Sequence, residues 1–266
     1  MIIHVVEDYK QLSAKAADIV ANQVMLKNNA VLGLATGSTP EGMYQQLVQM
    51  HREGTVDFSR VVTFNLDEYL GLSPEHPQSY HYYMRHHLFD HINISLQNTH
   101  IPLGQANNMN KMCLEYDGKI AAAGGIDLLV LGIGANGHIG FNEPNTHLKV
   151  QTHIIDLTQD TIEANSRFFD MPEEVPRQAV TMGMGSIMKA RRIMLLASGT
   201  NKAPAIEETL SGRITTAVPA SFLQLHHDVI FILDREAAAF LVEPDRGFYI
   251  PEALRRHVSL VLEPGA

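Results

Sequence analysis

The sequence predicts an α/β protein: a single domain with a Rossmann-like open parallel sheet and helices on both faces. Three observations predict it. Apolar runs of strand length recur along the chain, as "AVLGLA" (30–35), "VVTFNL" (61–66), "IDLLVLGIG" (126–134), "RRIMLLASG" (191–199) and "DVIFILD" (228–234). Runs of this kind do not alternate cleanly between apolar and polar, which marks strands buried on both faces. Longer amphipathic stretches separate them, as the crossovers between parallel strands require. No Pro/Gly/Ser linker or internal repeat divides the chain, so residues 1–266 read as one domain.

Ligands of open parallel sheets bind beyond the carboxyl ends of the strands, so those loops come first. The first strand, 30–35, runs into "TGSTPEGMY" and a helix through "EGMYQQLVQMHREG". Thr39 suits the helix cap, Pro40 its first position, and Glu41 the positive end of its dipole. Gly37 permits close backbone approach, and the Ser38 and Thr39 hydroxyls with exposed N–H groups make a phosphate cradle. The alternative is an ordinary capped turn, and the lysine of a P-loop is missing. The second strand, 61–66, runs into "DEYLG". A carboxylate here, Asp67 or Glu68, serves as a base, a metal ligand or a helix cap, and position alone favours the cap.

A helix around "NKMCLEYDGKIAAAG" precedes the third strand, which runs into "LGIGANGHIGFNEP". Gly132, Gly134 and Gly137 match the spacing of a dinucleotide fingerprint. A polar, proline-ended segment follows where that fingerprint needs a long helix, which argues against NAD. His138 beside Glu143 is more informative, since a carboxylate-oriented imidazole shuttles protons near neutral pH. A structural histidine is the competing reading. The fourth strand leads to "SGTNKAPAI", where Lys202 at a helix start reaches for a phosphate or is a solvated surface lysine. Residues of about 157–180 are polar and broken by Pro172 and Pro176, as a surface connection or a mobile lid would be. Arg167 in that segment is a candidate clamp for a phosphate, or a surface charge.

Composition narrows the partners. The net charge is −9 and no basic cluster exceeds "ARR" or "LRR", which argues against nucleic acid. No apolar run is long enough to span a membrane. The N-terminus, "MIIHVVEDYK", has no basic leader followed by an apolar stretch, so no secretory signal is expected. Cys113 is the single cysteine, which fits a reducing, cytoplasmic setting. The chain has 14 histidines, yet no HExxH and no Cys/His pair at zinc spacing, so no metal is expected.

Taken in order, "LGLATGSTP", "VVTFNLDEYLGL", "HPQSYHYYM", "LGIGANGHIGFNEP", "ANSRFF" and "SGTNKA" resemble the glucosamine-6-phosphate deaminase family over roughly residues 1–235. The resemblance implies a cofactor-free conversion of glucosamine 6-phosphate and water to fructose 6-phosphate and ammonia. It implies that His138 carries the proton that opens the pyranose ring and that Glu143 orients it. Many members carry Asp at the position of Asn136, where the amide keeps a hydrogen-bond acceptor without the charge. Asp67 would take the C2 proton and return it to C1. Ser38, Thr39, Arg167 and Lys202 would hold the phosphate, with Gly37 letting the backbone come close. A homo-oligomer is among the partners implied, because some members are hexamers activated by N-acetylglucosamine 6-phosphate. In those, two serines, an Arg and a Lys grip the effector. The matching positions here are Thr146, His147, His153 and Ile155.

Two rivals follow from the same loops. A 6-phosphogluconolactonase-like hydrolase needs no base at C2, which counts against it given Asp67. A sugar-phosphate sensor would need a DNA-binding helix-turn-helix, for which the chain has no spare segment.

Overall fold

The computed structural model describes residues 1–166, 169, 171, 175–243, 247–248 and 259–263. The chain opens with β1 (Ile2–Val6), α1 (Tyr9–Leu26), β2 (Val31–Leu34), α2 (Glu41–Arg52), β3 (Val62–Asn65) and β4 (Asp67–Tyr69). Then come α3 (Tyr80–His87), β5 (Thr99–His100), α4 (Met109–Ala122), β6 (Leu128–Leu131), β7 (His153–Asp156), α5 (Gln159–Ser166) and β8 (Gln178–Thr181). The remainder is α6 (Met184–Met188), β9 (Arg192–Ala197), α7 (Ala203–Thr209), β10 (Val229–Asp234), β11 (Val242–Glu243), β12 (Gly247–Phe248) and β13 (Ser259–Leu262).

Eight strands form one sheet in the order β13-β1-β10-β9-β6-β2-β3-β5. Every pairing in it is parallel. Alternate residues of each strand enter opposite cores, which is why the strands read as continuous apolar runs. Ile193 and Leu195 of β9 join Met112, Tyr116 and Ile120 of α4 and Ile206 of α7 on one face. Met194 and Leu196 join Leu12 and Val20 of α1 and Met43 and Leu47 of α2 on the other. All five strand runs read from the sequence lie in this sheet, and the helices after 40 and around 110–124 are α2 and α4.

A second, three-stranded antiparallel sheet, β4-β8-β7, stands apart from the first. The expectation of a loop at "DEYLG" is corrected here. Two residues after β3 ends, Asp67 opens β4 and pairs with Thr181. Tyr69, Phe141, Leu157 and Ala179 form a small core under this sheet. The main chain thus leaves β2 towards α2 and leaves β3 and β6 towards the small sheet. Divergence at adjacent strands opens a cleft beyond their carboxyl ends. No helix among the described residues is long and apolar enough to cross a membrane.

Candidate active site

The cleft has a volume of about 390 Å³ and is lined by the loops after β2 and β6, the start of β4, one residue each of α3 and α5, and the turn before α7. Asp67, Gly37, Ser38, Thr39, Asn136, His138 and Lys202, widely separated in sequence, all line it. Glu143 lies beneath, against His138. Arg167 lies outside the described residues, as does part of the segment 157–180 around it. Within that segment the structure describes α5 and the start of β8.

The loop after β2 is held open by two tyrosines. Tyr9 donates its hydroxyl to the Ser38 carbonyl at 3.0 Å and accepts the Gly42 N–H at 2.9 Å. Tyr83 donates to the Gly37 carbonyl at 2.7 Å. Gly37 has φ of +90°, a conformation that a side chain would strain. With its carbonyls occupied from outside, the loop is left with its N–H groups and hydroxyls. Thr39 does not cap α2. The helix is entered through Pro40, already in helical conformation, whose carbonyl accepts the Tyr44 N–H at 3.0 Å. Thr39 therefore sits one residue too early to cap, and its side chain lines the cleft instead. Lys202 ends a short turn, Thr200–Lys202, that leads into α7, as the sequence led one to expect.

Asp67 and Glu68 divide the roles left open for that loop. Successive residues of a strand point to opposite faces. Glu68, 1% exposed, accepts the N–H groups of Tyr80 and His81 and the His81 ring Nδ1 at 2.9–3.1 Å. It is the anion at the N-terminus of α3, where the helix dipole favours negative charge. Ser79 is the N-cap of α3 and accepts the Tyr82 N–H, while Glu68 takes the first two N–H groups from outside the helix. Of the two carboxylates it is Glu68 that serves the helix start, and Asp67 lines the cleft. No described residue hydrogen-bonds the Asp67 carboxylate. Burial, and then the Glu68 charge beside it, push its pKa up to about 8. A buried carboxylate with its pKa near neutrality is a candidate general base.

The loop after β6 is a tight turn folded under an imidazole. The Gly134 N–H donates to the His138 carbonyl at 2.9 Å, and a Cβ on Gly134 would stand 2.3 Å from the His138 ring. That close approach, and not a dinucleotide, is what the glycine admits. His138 Nδ1 stands 3.3 Å from Glu143 Oε2, a close contact without hydrogen-bond alignment. Asn136 accepts the His138 backbone N–H at 3.2 Å and donates its amide to Glu143 Oε2 at 2.8 Å. The amide thus does more than accept, since an Asp here could not donate to a neighbouring carboxylate. Burial raises the pKa of Glu143. His138, the Thr161 hydroxyl and the Asn136 amide outweigh that burial and hold it below the ordinary range. Thr161, on α5, donates to Glu143 Oε1. The sequence reading missed Thr161; the one signal for it is the Thr158-x-x-Thr161 spacing of a helix start.

Among the described residues no group of three or more His, Cys, Asp or Glu side chains is placed to hold a metal ion. What the cleft offers is proton transfer at two points, Asp67 and His138, beside an N–H-rich loop and a lysine. The fold is that of an α/β protein with a cleft beyond the carboxyl ends of its strands, and the residues lining it are of the kinds that acid–base chemistry on a small anionic molecule would use. The chain belongs to the family of glucosamine-6-phosphate isomerases and 6-phosphogluconolactonases, whose model matches residues 7–232.

Relatives sharpen the placement. The chain is 58% identical over 245 residues to a glucosamine-6-phosphate deaminase of Thermoanaerobacter sp. (strain X514), covering 92% of this chain and 97% of that one. It is 59% identical over 241 residues to the deaminase of Halothermothrix orenii, covering 91% of this chain and all of the other. Among solved structures it is similar to a monomeric glucosamine-6-phosphate deaminase, at 45% identity and TM-score 0.88, over 90% of this chain and 99% of that one. A 6-phosphogluconolactonase from Trypanosoma cruzi shares the fold, at 22% identity and TM-score 0.72, over 91% of this chain and 97% of that one.

Proposed function

We propose that this protein converts glucosamine 6-phosphate and water to fructose 6-phosphate and ammonia, with no cofactor. The observation that carries the reading is Asp67, a buried carboxylate that no described residue hydrogen-bonds, in the same cleft as the His138–Glu143 pair. Relatives more than half identical over nearly their whole length, named as deaminases, support it.

His138 moves the proton between the anomeric hydroxyl and the ring oxygen, opening the pyranose. Glu143, kept ionised by its hydrogen bonds, orients the imidazole, and Asn136 steadies both. Asp67 removes the C2 proton of the open-chain sugar to give an enolamine and returns a proton to C1. The resulting ketimine adds water and releases ammonia. A single carboxylate serves both proton transfers because C1 and C2 present one face of a planar intermediate. Gly37, Ser38, Thr39 and Lys202 hold the phosphate. Arg167 completes the clamp from a lid formed by about 157–180, in a single catalytic domain. The enzyme works in a reducing cytoplasm, consistent with its single, buried cysteine.

The test offers glucosamine 6-phosphate and 6-phosphogluconolactone side by side. Ammonia and fructose 6-phosphate in equal amounts, with the lactone left intact, support the reading. Hydrolysis of the lactone without ammonia release overturns it in favour of the lactonase.

A further inference from the structure

Glu143 is 3% exposed, and its two oxygens face different elements. Oε2 serves its own loop, taking the Asn136 amide and facing His138. Oε1 accepts the hydroxyl of Thr161, 18 residues further along the chain on α5. Thr161 is the third residue of α5, so no helical turn precedes it to take its hydroxyl, which bonds a carboxylate on another element.

The donor direction is set from behind. Thr158 donates its hydroxyl to Thr161 Oγ1 at 3.1 Å and accepts the Thr161 N–H at 3.3 Å, closing the first turn of α5. With its oxygen already accepting from Thr158, Thr161 has its proton left for Glu143. Thr161 is itself 6% exposed and lines the cleft, so water does not replace this bond readily. The terminal torsion of a glutamate is broad, so one occupied oxygen does not fix the carboxylate plane. Donors on both oxygens do.

We propose that Thr161 is a positioning residue for ring opening: its hydroxyl fixes the Glu143 carboxylate with Oε2 towards His138, so the orientation of that pair depends on α5 being seated on the cleft. This inference rests on the deaminase reading and adds a condition to it. The Thr161 hydroxyl is committed to Glu143, and its effect passes through that carboxylate to the imidazole.

Thr161→Val keeps the shape and removes the hydroxyl, while Thr161→Ser keeps the hydroxyl and removes the methyl. Both variants and the wild type are assayed for kcat and KM on glucosamine 6-phosphate. Binding of a reduced, open-chain amino-alditol 6-phosphate, which needs no ring opening, is measured in parallel. Losing a hydrogen bond to a charged group should lower kcat of Thr161→Val by about 10- to 100-fold. KM and alditol binding should stay at wild-type values, and Thr161→Ser should recover most of kcat. Wild-type kcat in Thr161→Val, or a Thr161→Ser as slow as Thr161→Val, overturns the proposal. So does a loss of alditol binding that matches the loss of kcat, which would assign Thr161 to the fold. A wild type that releases no ammonia fails the deaminase reading itself, before any variant is compared.

Discussion

Asp67 and Glu68 are adjacent and chemically alike, and the structure gives them opposite environments. Glu68 is surrounded by N–H donors at the start of α3, whereas Asp67 has none among the described residues. With its pKa near 8, Asp67 is mostly protonated in the free enzyme below that pH. The base form then limits kcat/KM, which should rise about tenfold per pH unit between about 6 and 8 and level off above. Asp67→Asn should lose 10²–10⁴-fold in turnover, roughly the general-base contribution, while still binding sugar phosphate. Stability should move the other way. The folded protein keeps a proton that the unfolded chain releases above its ordinary carboxylate pKa. Wild-type stability therefore falls as pH rises through that window to about 8. Asp67→Asn removes this loss, so its thermal midpoint should exceed that of the wild type at pH 8 and converge with it near pH 4. Lys202→Ala should chiefly raise KM, by roughly 10- to 100-fold, because a phosphate contact persists from ground state to transition state. A kcat loss at constant KM would remove Lys202 from the cradle. Asp67 was legible as a cleft residue because it directly follows an apolar strand run, and His138 because it lies in the glycine-rich turn four residues past one. Thr161 was not, since a hydroxyl in a polar segment looks the same whether it meets water or a buried carboxylate.

At the scale of elements, the five central strands were legible because both faces are buried and apolar residues crowd together. The small sheet was not. β4, β7 and β8 have three or four residues each and no sustained alternation, and their pairing is set by tertiary contacts. β13 was equally hidden. It adds a parallel strand beyond β1, and Glu263 ties it down, 2.9 Å from His4 Nδ1 and 2.8 Å from Lys15 Nζ. Neither Glu263 nor its partners His4 and Lys15 is among the residues that line the cleft. Glu263→Gln should therefore leave kcat and KM unchanged. Half-exposed pairs contribute about 0.2–1 kcal/mol each, so its thermal midpoint should drop by only a few degrees, roughly 2–4 °C. A change in kinetics would mean that β13 reaches the site through some other contact.

For the whole molecule, the proposed function places an anionic ligand in a protein of net charge −9, and the N–H-rich loop and Lys202 that line the cleft are what would reconcile the two locally. The same reasoning applied to the positions matching an effector site gives the opposite answer. The Thr146 hydroxyl bonds Asn145 and His147. His153 bonds the Gln151 carbonyl, and burial holds its pKa below the ordinary histidine value. Ile155 packs against the small core. None of these four positions is an arginine or lysine, and the nearby cation, Lys149, donates to the Ile154 carbonyl, so a phosphate gains less there, and allosteric coupling is only about 1–3 kcal/mol to begin with. Initial rates should follow a hyperbola in glucosamine 6-phosphate, unchanged by millimolar N-acetylglucosamine 6-phosphate. A sigmoid that this compound straightens would place an effector site elsewhere on the molecule.

Whether Asp67 takes the proton from C2 is read out with glucosamine 6-phosphate deuterated at C2. Turnover should be slower than with the unlabelled sugar, and ammonia should appear with an equal amount of fructose 6-phosphate. Part of the deuterium should be recovered at C1 and none at C2, and Asp67→Asn should transfer none. Ammonia released with the deuterium still on C2, or Asp67→Asn turning over at the wild-type rate, would contradict the account.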